Sequence, residues 1–115
     1  MEAETIQAVA FEIILNSGDG RNNIHESFEL MREGDFTKAE NKLKEANEKL
    51  VNSHKSQTNL LKEYASGEKL EMDIIMVHAQ DHLMTTMTLR EIALEMMEMY
   101  KELKKVKLEN KRHHQ

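Results

Sequence analysis

Apolar residues recur at every third or fourth position along almost the whole chain, and no proline interrupts them. That spacing puts side chains on one stripe of an α-helix, whereas a half-buried strand alternates by twos. Proline would break such a stripe at a cost of about 3 kcal/mol. With four glycines and 32% charged residues in 115, the class is all-α. The length suits one domain with one core. Without tryptophan, and with nine methionines, that core is aliphatic and fills irregular gaps between helices with flexible thioethers.

Two glycines punctuate the pattern. In Glu33-Gly34-Asp35-Phe36, Gly34 suits the left-handed residue that ends a helix and Asp35 the cap that starts the next. Ser66-Gly67-Glu68 repeats the stop. Helices are expected over about 3–33, 35–66 and 71–108. The first 104 residues form the domain, and residues 105–115 form a basic helix extension and frayed tail that includes His113 and His114. Short connections make this an antiparallel up-down-up three-helix bundle. Gly18 and Gly20 each cost a helix interior about 1 kcal/mol. The stripe keeps its phase across them, which favours one long first helix with Gly20 at a close approach. The alternative is a loop over residues 17–21.

The first stripe runs Ile6, Ala10, Ile13, Ser17, Gly20, Ile24, Phe28, Met31. The second runs Phe36, Ala39, Leu43, Ala46, Leu50, Ser53, Gln57, Leu60, Tyr64. The third helix carries two. Ile74, His78, Asp81, Thr85, Leu89, Ile92, Met96, Met99, Leu103 and Val106 read as the core seam. Met76, Leu83, Met87, Leu94 and Met97 read as either an oligomer interface or the edge of a wide core.

Chemistry concentrates in Val77-His78-Ala79-Gln80-Asp81-His82-Leu83-Met84. His78, Asp81 and His82 stand at i, i+3 and i+4, on one helix face. Ser53 and Gln57 break the second stripe at the height where His78 and Asp81 break the third. The expectation is a polar layer inside the bundle, with Gln57 and Ser53 supporting the cluster. Three readings stay open. A structural layer would fix register. A metal site would use His78 and His82, although Ala79 stands where a zinc hydrolase needs glutamate. A phosphoryl relay would use a neutral imidazole as nucleophile, with neighbouring donors for the phosphoryl oxygens.

Other classes are excluded or disfavoured. No cysteine means no disulfide, no thiolate zinc site and no cysteine nucleophile, which fits a reducing cytoplasm. A net charge of −5 argues against nucleic acid as a partner. The apolar run from Val9 to Leu15 is short and carries Glu12, so no membrane insertion is expected.

The motif from Val77 to Thr85 resembles the active-site signature of the IIA component of the lactose/cellobiose (diacetylchitobiose) family of the bacterial phosphoenolpyruvate-dependent sugar phosphotransferase system. Glu12-Ile13-Ile14, Ser17-Gly18-Asp19-Gly20-Arg21, Glu33-Gly34-Asp35-Phe36 and Ser53-His54-Lys55-Ser56-Gln57-Thr58 resemble that family's other segments. The likeness runs over roughly residues 4 to 104 and departs in Gly18-Asp19-Gly20, which has an extra glycine where the family pattern expects alanine. It implies a homotrimer of three-helix bundles. It implies that His78 takes a phosphoryl group from HPr and passes it to a cysteine of the IIB component, for uptake of a β-linked disaccharide. It implies that Gln80 and His82 assist, and that Asp81 lies on the trimer axis. Three carboxylates there would hold a divalent ion, and oxygen ligands favour Mg²⁺. The alternative is a non-catalytic oligomeric bundle or a metal-binding bundle using His78 and His82.

Overall fold

The computed structural model describes residues 2–113, and His114 falls outside them. Three helices, α1 (Ala3–Glu33), α2 (Phe36–Ala65) and α3 (Ile74–His113), run up, down and up in a rod of 69 × 21 × 20 Å. Among the described residues no helix is long and apolar enough to cross a membrane.

α1 is continuous through Gly18 and Gly20. Around Gly18 there is open space. A Cβ on Gly20 would lie 3.4 Å from the Ala46 carbonyl oxygen and from Leu50 Cγ. Gly20 therefore lies at a close approach of α1 to α2, between the buried Ser17 and Ile24.

At the first turn Gly34 adopts φ +83°. Its N–H donates to the Met31 carbonyl at 3.1 Å, and the Asp35 N–H to that of Leu30 at 2.9 Å. Asp35 then accepts from the Lys38 N–H at 3.2 Å and starts α2. Lys104, far along α3, closes this turn. Its ammonium donates to the Gly34 carbonyl at 3.3 Å and lies 5.4 Å from the centroid of the Phe36 ring. At the second turn Gly67 takes φ +96°.

The stripes expected on α1 and α2 pack inward, except that Phe28, Phe36 and Gln57 are only half-buried and Tyr64 is exposed. α3 overturns the expectation. Its inner face is Met76, Ala79, Leu83, Thr86, Ala93 and Met97, which includes three residues of the supposed second stripe. The supposed core seam faces out: Ile74, His78, Asp81, Thr85, Ile92, Met99, Leu103 and Val106 are exposed. Two terms decide between the faces. Ala79 and Ala93 let α3 come close to its neighbours, and turning His78 and Asp81 outward avoids desolvating them. Arg90 also lies on the inner side, where its Nε donates to the Leu43 carbonyl of α2 at 3.0 Å.

The helix boundaries shift as well. α3 starts at Ile74 rather than near residue 71, and its described helix runs to His113, past the expected end near residue 108.

Gly18→Ala should raise stability by about 0.5–1 kcal/mol, since the site is helical and open. Gly34→Ala should lower it, because the left-handed conformation penalises a side chain. Urea denaturation followed by circular dichroism measures both.

Candidate functional site

The site begins with the residue that starts α3. Asp73 Oδ1 accepts the Met76 N–H at 3.0 Å, and Asp73 Oδ2 accepts from Gln7 Nε2 at 3.2 Å. This cap ties the first turn of α3 to α1, one turn before His78. The Met76 N–H bond, followed by that from Gln7, holds the Asp73 carboxyl below its ordinary value of 3.8.

One helical turn further, His78 and His82 stand together on the outward side of α3. Their ring centroids are 6.0 Å apart and their planes meet edge-to-face at 79°. His78 is exposed. His82 is half-buried, and its Nδ1 is shut from water without a hydrogen-bond partner. Ile74 and Val77 are exposed apolar residues in the turn before the pair, and Met84 is exposed on the side that meets Gln57. The backbone behind the pair is reinforced, since Thr85 Oγ1 donates to the Asp81 carbonyl at 2.8 Å and Thr86 Oγ1 to that of His82 at 2.7 Å.

The polar layer expected inside the bundle does not form around His78 and Asp81. What is buried is smaller. Ser53 Oγ donates to the Ile13 carbonyl at 3.4 Å, near the buried Ser17. Gln57 bonds the side chain of Gln80 and points an N–H at Met84 Sδ, while Gln80 Nε2 contacts Met76 Sδ. Gln80 is thus turned toward α2, two residues and some 200° of helix away from His78. Within one chain it is part of the α2–α3 contact and not a neighbour of the His78 ring.

Asp81 is exposed on the outward stripe. Among the described residues no group of three or more ligating side chains surrounds a common point. One chain therefore offers a cation a single carboxylate here, and the i, i+4 histidines have no third partner. Sequence reasoning missed Gln7, Asp73 and Arg90. Asp73 carried a signal, an acidic residue just before an apolar run, whereas the partners of Gln7 and Arg90 lie 66 and 47 residues away.

Residues 8–101 match the family model described as PTS system, Lactose/Cellobiose specific IIA subunit. The lactose-specific EIIA component of Staphylococcus epidermidis is 42% identical over 101 residues, covering 88% of this chain and 97% of that protein. The crystal structure of PtcA from S. mutans superposes with a TM-score of 0.87 at 60% identity, covering 88% of this chain and 99% of that one. The IIA(Chitobiose) of the Escherichia coli phosphotransferase system, solved in complex with HPr, superposes with a TM-score of 0.75 at 32% identity, covering 90% and 99%.

Asp73→Ala should lower the thermal midpoint and fray the first turn of α3, read by hydrogen exchange at Met76 and Val77. The sign with pH follows from the lowered carboxyl. Its stabilisation is complete above pH 3.8 and drains away as the pH falls through the lower folded value. The alanine variant should lose that part of the acid dependence.

Proposed function

Because the chain belongs to the lactose/cellobiose-specific IIA family of the phosphotransferase system, we propose that it is a phosphocarrier working in the cytoplasm, with His78 as the carrying side chain. The observation that carries this reading is an exposed imidazole with a second imidazole beside it, preceded on α3 by the exposed apolar Ile74 and Val77. HPr is the donor and a cysteine of the IIB component the acceptor, in a pathway that delivers a β-linked disaccharide. Both dock in turn on the exposed surface beside His78, which includes Ile74 and Val77.

The chemistry uses the chain's own groups. A ring nitrogen of His78 attacks the phosphorus on the donor side chain. The bond to the donor breaks as the bond to His78 forms, and the proton that the imidazole gives up passes through water to the departing donor side chain. His82 supplies a donor to the phosphoryl oxygens. Its Nδ1 is buried and unpaired, and a buried unpaired N–H costs more than a lone pair there, so the proton belongs on Nε2. Transfer onward to the IIB cysteine reverses the same steps.

His78→Ala should abolish labelling by phosphoenolpyruvate, enzyme I and HPr while leaving helicity intact. His82→Ala should slow it roughly a hundredfold. Mass spectrometry locates the phosphohistidine. Undiminished label on His82 or His54 in the His78 variant refutes the assignment.

Self-association completes the reading. From Asp81 on, the outward stripe of α3 (Thr85, Ile92, Met99) is too apolar for a free surface, and three copies meeting along it would form the homotrimer with His78 at the cleft between subunits. Asp81 begins that stripe, so three carboxylates would converge in an apolar boundary. They cannot all stay ionised there without a proton or a cation, and oxygen ligands suit a hard ion such as Mg²⁺. Such an ion would offset two of the three charges and take no part in phosphoryl transfer. Asp81→Leu should remove the metal and leave the assembly intact, by exchanging converging charge for apolar packing. Metal analysis with sedimentation decides it; stoichiometric metal in the variant refutes the idea.

A further inference from the structure

α3 continues past its partners. Lys104 is level with the Gly34 turn, and the next nine residues add roughly 14 Å of helix. Every residue from Glu102 to His113 is exposed, and the segment lies beyond residues 8–101, which carry the family match. Leu108 is out of place there. It is 53% exposed and stands roughly 140° of helix away from Leu103, on the side turned from the outward apolar stripe. Its neighbours on the helix surface are the residues three and four positions before and after it. These are Lys104, Lys105, Lys111 and Arg112, so one leucine is ringed by four cations. Glu102 and Glu109, the only acids in the segment, share a different side of the helix.

The helix itself does not account for this ring. Cations offset the helix dipole within the last turn, which holds Lys111, Arg112 and His113. Lys104, Lys105 and Lys107 stand one to two turns earlier. Lys104 with Lys107, and Lys107 with Lys111, are like charges at i, i+3 and i, i+4, which oppose helix formation. Among the described residues Lys105, Lys107, Lys111 and Arg112 make no ion pair. In a chain of net charge −5, positive charge is thus gathered at one end of the rod, with nothing in the chain to answer it.

The residue types choose the occupant. Four of the five cations from Glu102 to His113 are lysines, point charges on long flexible stems, whereas fixed bidentate recognition selects arginine. Lysines around one apolar side chain suit a fluid layer of anionic headgroups. The ammonium groups reach the phosphates while their stems and the leucine meet the edge of the hydrocarbon. No aromatic side chain stands in the segment to stack a base, as single-stranded nucleic acid needs. We propose that the face of α3 centred on Leu108, with Lys104, Lys105, Lys111 and Arg112, docks on an anionic lipid membrane. Each cation near such a surface strengthens binding about fivefold, so one copy binds weakly. Copies joined along the outward stripe leave this face open and bind together. The docking goes beyond the phosphocarrier reading and does not rest on it.

The full chain should sediment with vesicles of phosphatidylglycerol and not with vesicles of phosphatidylcholine, and about 0.5 M salt should release it. Lys111→Glu with Arg112→Glu should weaken the partition at least about tenfold. Lys44→Glu with Lys62→Glu, an equal change of charge at exposed positions on the body, should weaken it less than about threefold. Leu108→Asn should weaken it about threefold with the charge unchanged. Circular dichroism checks that α3 persists in each variant. No binding to phosphatidylglycerol, equal binding to phosphatidylcholine, or equal losses from the tail and body pairs overturns the proposal. Binding to polyglutamate without binding to either vesicle assigns the face to an acidic protein and also overturns it. Phosphoryl labelling of His78 should be the same in the tail variants as in the parent chain, so membrane docking and the carrier reading fail or stand separately.

Discussion

Burial of the Met76–Met97 face of α3 against α1 and α2 decides where each titratable group of the site lies. α3 has two apolar stripes on opposite sides, and only one can enter the bundle. The inner one carries Ala79 and Ala93, whose small side chains admit the neighbouring helices. Its single strongly polar member, Arg90, finds a carbonyl of α2. The outer stripe carries an imidazole and a carboxylate that would each lose hydration if turned in. With that choice made, His78 meets solvent, His82 sits at the boundary, Gln80 meets Gln57, and Asp81 is left on a surface that invites another copy.

The elements whose shape is set locally could be read from residues alone. Gly34 and Gly67 mark the turns because a positive φ selects glycine, and Asp35 caps α2 because a short carboxylate reaches the third N–H beyond it. The unbroken phase of Ile6, Ala10, Ile13, Ser17, Gly20 and Ile24 was enough to carry α1 through two glycines. The proximity of His78 and His82 followed from their spacing.

What escaped was the sidedness of α3. Periodicity reports that a stripe exists and is silent on which of two stripes faces in. Matching His78 and Asp81 to Ser53 and Gln57 by height along the bundle placed a polar layer where the rotation of α3 does not allow one. Height is set by turn lengths, but rotation is set by packing across the whole helix. Gln7 with Asp73, and Arg90 with Leu43, escaped for a related reason, since their partners are neighbours only after the fold has closed.

The exposed placement of His78 has an energetic corollary. With His78 as the proposed carrier, no core side chain must move, and no buried hydrogen bond must break, for a phosphoryl group to arrive or depart. The Asp73 cap and the Gln57–Gln80 contact hold the helix on either side of His78 through groups that the cargo does not use. Loaded and empty forms can therefore share one architecture, and the free energy of folding is kept apart from that of the phosphorus–nitrogen bond. A carrier built this way hands on nearly all the transfer potential it receives.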